Sequence, residues 1–455
     1  MKTMNMLLPL AAAIALSACG GSDGGNSNYP DAYLQFYNAS PNSAETELLL
    51  DDVSKGSASY GDATSLLTLD AEQMDLTLQR TDADNKVIEI LSKSIETSSG
   101  HKSLYLLLGD YDAPTLLEHK YERQSLDNHF ILNGLSAIEG QSYDLYVAES
   151  GAPFEDAHLV STLDFANVSE AEYWDGDTDS SDWDLDEYVI YLTAPGETEV
   201  VYESDSINFI YATEYTLVVR STAGAVKNNL VVDLVINSTS IPSYKDVRAG
   251  AQYRYYNSLK EEGSVDARLS GTDVQQDMAV GAGQLSSYGL VKYGDYQLSA
   301  SASDANMAFA NKLLTLNQGE SKTVVFYRNK EDKLSSLAFL DSDLPQVYEH
   351  EINAVNLVKD YDEIEIYFVR QDETVETAEF KLTRLEFAES DDLVLPSDYY
   401  EIIALYDDNS GNETLLYRTQ AMAINEETSY VVVVEPDSSS ASGYKVSLMS
   451  ETVEE

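Results

Sequence analysis

The chain has 455 residues, 43% of them apolar, and its 79 acidic side chains stand against 27 basic ones for a formal charge of −52. A field of that sign repels phosphate backbones, which excludes nucleic acid as a partner, and it disfavours direct docking on anionic headgroups while drawing in divalent cations. The single cysteine, Cys19, excludes an internal disulfide, and the 437 residues from Cys19 onward exceed one ordinary core and point to three or four domains.

In chain order, a short segment carrying Lys2 precedes an apolar run from Met6 to Leu16, followed by Ser17 and Ala18. This is the layout of a secretory signal peptide, read as residues 1–18, and the run falls short of the about 20 apolar residues that a permanent membrane helix needs. Leu16-Ser17-Ala18-Cys19 resembles a bacterial lipobox. The resemblance implies that the Cys19 sulfur receives a diacylglycerol, that the chain is cut before it, and that the new amino terminus is acylated. Several acyl chains anchor stably where one does not. Residues 19–30, with the run Gly20-Gly21-Ser22-Asp23-Gly24-Gly25-Asn26-Ser27-Asn28, then read as a lipidated, flexible tether. Gly20 after the cysteine, rather than Asp, implies by the same resemblance passage to the outer membrane of the cell envelope, facing either the periplasm or the outside.

Beyond the tether, apolar or alternating runs of five to eight residues, such as AYLQFYNAS, SLYLLLGD, EIEIYFVRQD and SYVVVVEPD, lie between Gly, Asp, Asn and Ser clusters. Such runs are strands, and regularly spaced short strands predict sandwiches or barrels. The 32 tyrosines, against 11 Phe and 2 Trp, suit half-buried strands with a packed ring and a wet hydroxyl. Four segments share a strand, an Asn and a second strand: the asparagines are Asn38, Asn133, Asn257 and Asn356, spaced by 95, 124 and 99 residues. Each segment closes on a strongly apolar strand, at Leu104 to Leu108, Thr216 to Val219, Thr323 to Tyr327 and Tyr430 to Val434. In the last segment Asp407 to Gly411 supplies a hairpin turn.

A period near 100 residues predicts an all-β protein of four tandem immunoglobulin-like antiparallel β-sandwich modules, without the Cys-Trp-Cys core of antibody domains. The modules are read as 31–125, 126–245, 249–345 and 348–446, each holding its own core, followed by an acidic tail at 447–455. The four asparagines are expected to serve the fold by bonding nearby backbone where the chain turns away. AYLQFYNASPNSAETELLLDD, in which Asn38-Ala39-Ser40-Pro41 leaves a strand, resembles a widespread bacterial domain of unknown function that opens with a strand and Ala-Ser-Pro-Asp. The likeness spans residues 32–80 and is weaker over 251–300, where Ser258-Leu259-Lys260 replaces Ala-Ser-Pro. It implies tandem β-sandwich modules in secreted or lipid-anchored proteins, and it brings no catalytic residues.

The five histidines, His101, His119, His129, His158 and His350, fit no H-E-x-x-H or short zinc motif, and no nucleophile elbow or phosphate loop is present. The sequence therefore reads as a non-enzymatic envelope lipoprotein for binding, adhesion or surface organisation, with a glycan or an envelope protein as partner, the membrane reached through the lipid, and no required cofactor. The alternative is an envelope hydrolase acting on polysaccharide or peptide through carboxylates near an acidic loop at 172–187. There Asp175, Asp177, Asp179, Asp182, Asp184, Asp186 and Glu187 fall within thirteen residues. Asp175-x-Asp177-x-Asp179 with Asp186 at the twelfth place copies part of an EF-hand loop, and with Asp182 these are the candidate Ca²⁺ ligands. Ser180 stands where the turn wants Gly, and no Glu closes the loop, so the segment is either a weak Ca²⁺ site or a solvated acidic loop. Trp174 and Trp183 flank it and either pin it to the sandwich or present rings to a sugar.

Overall fold

The computed structural model describes residues 31–41, 43–83, 86–174, 182–223, 229–272, 274–303, 307–342, 348–408, 410, 412–424 and 430–450. Cys19, the signal peptide, residues 19–30 and residues 451–455 lie outside them. The described chain is all β apart from one 3₁₀ turn at Phe154–Asp156. Its strands form eight sheets, and four large apolar clusters each draw on two of them.

The first sheet pair sets the pattern. One sheet runs Val53–Ala58, Thr46–Leu50, Gln73–Thr81, Val87–Glu96, and the other runs Asp62–Ala63, Ala32–Asn38, His101–Leu108, Thr115–Glu122. The order repeats in the next three pairs, with opening strands His129–Ser136, Ala251–Asn257 and Glu349–Asn356 and closing strands Glu214–Ser221, Ser321–Arg328 and Tyr430–Pro436. Pairing is antiparallel with one repeated exception: opener and closer lie parallel in all four pairs. The wholly antiparallel sandwich read from the sequence is corrected to that extent. Opener and closer are separated by two or more strands that cross to the facing sheet, so both enter their own sheet from the same end.

These parallel strands are buried on both faces, which is why the closing strands read as continuous apolar runs such as LYLLL and YVVVV. Because side chains alternate across a strand, consecutive residues serve two different cores. Leu34, Phe36, Tyr105 and Leu107 face the first pair's own core. Tyr37, Leu104, Leu106 and Leu108 instead meet Leu135, Val218 and Val235 of the second pair. Likewise Tyr255, Val324 and Phe326 face the third core, while Tyr256, Val325 and Tyr327 meet Val355, Val431 and Val433 of the fourth. The four sheet pairs thus stand back to back as two couples, each pair keeping its own core while sharing a second with its neighbour. The facing sheets of the first and third pairs show ordinary alternation, as in Gln73–Thr81, whereas those of the second and fourth carry small apolar clusters on the face away from the core, around Tyr191 and Tyr367.

A buried tyrosine and carboxylate lock each couple. Tyr37 Oη donates to Asp233 Oδ2 at 2.5 Å, and Arg220 Nε donates to the same oxygen at 2.5 Å. The Arg220 guanidinium lies 4.9 Å from the Tyr60 ring centre and fills the space where a Cβ on Gly61 would sit. In the other couple Tyr256 Oη donates to both oxygens of Glu435 at 3.0 Å, and Lys260 Nζ lies 2.8 Å from Glu435 Oε1.

Two boundaries and one motif residue differ from the sequence reading. Strand register aligns Asn38, Asn257 and Asn356 with Ser136, because these four sit opposite Leu107, Phe326, Val434 and Val219 on the parallel partner. Asn133 is three residues early; its Nδ2 donates to Glu214 Oε1 at 2.6 Å. The last strand, Tyr444–Ser450, takes residues 447–450 from the expected acidic tail into a sheet. Finally, Asp182–Asp184 pairs with His129 to Ile131, and Glu187 opens another strand, so the sheets claim part of the 172–187 loop.

Candidate functional site

The asparagine that ends an opening strand shapes the loop that follows it. Asn257, fully buried, accepts the Leu259 N–H on Oδ1 at 2.9 Å and donates from Nδ2 to the carbonyls of Gly263 and Val280, each at 3.0 Å. Asn356 accepts the Val358 N–H at 2.8 Å and donates to the Leu385 carbonyl at 2.8 Å. Asn38 makes the corresponding bonds to the Ser40 N–H and the Ala58 carbonyl. A fixed side chain thereby replaces secondary structure as partner for the turning backbone.

In the second couple these two held loops face each other across a cleft of about 330 Å³. Ser258 to Glu262 form one wall, Leu357 and Lys359 another, Pro436 to Ser438 with Gly443 a third, and Tyr327 and Arg328 end the closing strand beneath. Leu259, Leu357 and Tyr327 give it an apolar floor. The charges are arranged in pairs. Lys260 Nζ lies 2.8 Å from Glu435 Oε1 and 3.1 Å from Asp437 Oδ2, Arg328 pairs with Glu262 and, at 3.9 Å, with Asp332, and Lys359 pairs with Asp332. The carboxylates of Glu435, Glu262 and Asp437 are 0%, 9% and 13% exposed, while Lys260, Arg328 and Lys359 are 26%, 40% and 30% exposed. Those three acids therefore sit behind their cations, whereas Asp332, 60% exposed, stands further out than Arg328 or Lys359.

Two hydrogen bonds from Ser439, reinforced by Lys260, hold the Asp437 carboxyl down to about 2. Burial pulls Lys260 down, but Glu435 and Asp437 outweigh it and keep the ammonium above its ordinary value. Burial and the adjacent Glu435 push the Tyr256 hydroxyl well up, so it stays a donor. Glu262 and Asp437 are both held by cations, a setting for binding through fixed donors and acceptors.

The residues singled out in the sequence fall elsewhere. Asp175, Asp177 and Asp179 lie outside the described residues. Asp182 Oδ2 lies 3.3 Å from His129 Nε2, and Asp186 Oδ1 accepts the Glu187 N–H at 2.8 Å. Among the described residues no group of three or more His, Cys, Asp or Glu is placed to hold a metal. Trp183 is corrected as a ligand-contact residue: it is fully buried, stacks on Phe130 at 5.8 Å and donates from Nε1 to the Ala171 carbonyl at 3.0 Å. Trp174 is half-buried, with one ring face covered by His158 at 4.9 Å and its edge side meeting Trp183 at 5.5 Å. Lys260, Glu262, Arg328, Lys359 and Asp437 were missed. One signal for them was present: Ser258-Leu259-Lys260 is the stretch where the third segment departs from Ala-Ser-Pro.

No protein-family model and no curated protein matches the sequence. Among solved structures the chain is similar to the Bacillus anthracis TIE protein, at 10% identity over 89% of this chain and 74% of that one, with a TM-score of 0.15. It is also similar to a leucine-rich repeat protein from Bacteroides thetaiotaomicron, at 12% identity over 39% of this chain and 25% of that one, TM-score 0.13. A candidate cell adhesion protein from Bacteroides fragilis matches at 10% identity over 46% of this chain and 99% of that one, TM-score 0.12. Superposition at these scores carries no functional argument. Among the described residues no helix is long and apolar enough to cross a membrane.

Proposed function

We propose that this protein is a non-enzymatic lipoprotein of the cell envelope, tethered to the outer membrane through lipid on Cys19, whose tandem β-sandwiches bind a glycan or an envelope protein. The observation that carries the reading is the cleft between the third and fourth sheet pairs. Its walls are loops fixed by Asn257 and Asn356, and its charged groups are held in place by one another. Fixed polar groups over an apolar floor are what orient a bound molecule. The lipobox and the polar tether support the location, and the acidic loop adds a Ca²⁺ requirement to be tested with the rest.

Anchoring is tested by palmitate labelling and membrane fractionation of wild type and Cys19→Ser, which lacks the thiol that is alkylated. Equal labelling of the two removes the lipid anchor. Binding is tested by glycan arrays and envelope pull-downs with a soluble 29–455 form, with and without Ca²⁺. Turnover of a glycan or peptide by the purified protein, abolished by single Asp or Glu substitutions, would replace the binding reading with the hydrolase.

A further inference from the structure

Resting on the reading of the protein as a binding lipoprotein, we infer that the cleft between the third and fourth sheet pairs takes an uncharged saccharide. Three properties of the cleft point to that chemistry.

The first is charge. With a net charge of −52 the chain repels anions at long range, and screening limits but does not reverse this at the surface. Inside the cleft each cation already carries a carboxylate of its own: Lys260 has Glu435 and Asp437, Arg328 has Glu262 and Asp332, and Lys359 shares Asp332. A charged ligand gains little from groups so compensated and must displace an existing partner to gain more.

The second is hydrogen-bonding capacity. An ammonium has three N–H donors and a guanidinium five, more than the partners just named consume. Lys260 and Arg328 are more exposed than Glu435, Asp437 and Glu262, so their spare donors face the cleft with Glu262 and Asp437 oxygens behind them, while Lys359 lines the cleft beside the more exposed Asp332. Sugar hydroxyls donate and accept at once and match such an alternation. The small apolar surface that Leu259, Leu357 and Tyr327 leave in the cleft beside Pro436 suits the C–H face of a sugar ring. The volume, about 330 Å³, lies at the small end of ligand clefts and has room for about one or two rings.

The third is the state of the strand edges. A peptide binding by strand addition needs an open edge. The strands that lead into the cleft, Ala251–Asn257, Ser321–Arg328, Glu349–Asn356 and Tyr430–Pro436, are each flanked on both sides within their sheets.

The test uses the full chain in a sugar-free detergent. The probes are an array of uncharged gluco-, galacto-, manno- and N-acetylglucosamine oligosaccharides, uronate-containing counterparts, and acidic and basic peptides. The inference expects at least one uncharged oligosaccharide to bind, with an affinity that changes less than about twofold between low and high salt. Glu262→Gln and Lys359→Gln should each weaken it by roughly tenfold, while Arg268→Gln, in an exposed pair with Asp277 on another sheet, binds as wild type. If Glu262→Gln lowers the melting temperature, the more exposed Lys359 decides. Binding confined to uronates or peptides, binding that collapses with salt, or uncharged binding that survives both variants overturns the inference. So does the lack of any uncharged hit. An envelope component captured equally by wild type and both variants would remove this assignment while leaving the binding reading in place, whereas no capture and no array hit would remove both.

Discussion

Separating the first sheet pair from the second, by expressing residues 31–125 without 126–245, should abolish cooperative folding of the shorter piece. The cut exposes Tyr37, Leu104, Leu106 and Leu108, all fully buried against Leu135, Val218 and Val235 in the intact chain. Fully burying a side chain of this size contributes about 1.5–3 kcal/mol, so exposing the four costs on the order of 6–12 kcal/mol. A partly collapsed unfolded chain reduces that figure by about 10–40%. What remains still rivals the whole stability of a small domain, about 5–15 kcal/mol. The cut also deprives Gln35 and Lys102 of their bonds to the Ser238 carbonyl and Asn237 Oδ1, both at 3.0 Å. Urea unfolding followed by circular dichroism, with dye binding and gel filtration, reads the outcome. Residues 31–245 should unfold in one transition, and 31–125 should bind dye, self-associate and melt without a sharp midpoint. A monomeric 31–125 piece with the midpoint it has inside 31–245 would refute the back-to-back coupling and restore the self-contained modules read from the sequence.

Burial draws the Lys102 ammonium, 1% exposed, down to about 7 from an ordinary 10.5. The unfolded chain therefore holds the extra proton, and stability of the first couple should rise with pH from about 7 to about 10, by at most about 1.4 kcal/mol per pH unit. Lys102→Met should flatten that rise in urea titrations at stepped pH. Buried His350 is drawn down from 6.5 to about 4, so the stability it leaves intact above pH 6.5 is lost as pH falls through that window, on the order of 3 kcal/mol. His350→Gln should remove that part of the acid destabilisation; an unchanged acid limb would show that the imidazole is not its source. If the acidic loop binds Ca²⁺, Trp174 and Trp183 emission and the melting temperature of the 29–455 form should shift at about 10⁻⁴ to 10⁻³ M Ca²⁺ and not with Mg²⁺. No shift at several times that concentration would return the loop to solvated acid.

The all-β class was legible because turn residues punctuate short apolar runs throughout the chain. The coupling of sheet pairs leaves only a partial mark in the sequence. Continuous apolar runs such as SLYLLL and YVVVV differ from alternating ones such as QMDLTLQRT because the former are buried on both faces. Alternation alone cannot say which neighbour covers the second face, and so the parallel pairing of opener and closer did not follow from the pattern. The misplaced Asn133 has a similar origin. Pattern matching aligned an asparagine with an asparagine, while register, set by inward and outward positions, puts Ser136 there, where its Oγ accepts the Ile138 N–H at 3.3 Å.

The locks at the two couples follow a finer rule, visible once register is fixed. The residue just before the aligned Asn or Ser points at the neighbouring sheet pair: it is Tyr37 and Tyr256 in the first and third segments and Leu135 and Val355 in the second and fourth. A hydroxyl in the odd segments meets a carboxylate from the even ones, Asp233 or Glu435, and the leucine or valine packs beside it. A buried carboxylate without donors is costly, so each lock works only when the right neighbour arrives, and an odd segment paired with another odd one would bury two hydroxyls and no carboxylate. The second couple then departs from the first in the cation that completes the lock. Arg220 comes from the closing strand itself, whereas Lys260 comes from the loop after Asn257, three residues past the strand end. That shift carries the positive charge out of the interface and into the cleft wall, which makes the departure from Ala-Ser-Pro at Ser258-Leu259-Lys260 the local change that turns a structural contact into a lined site.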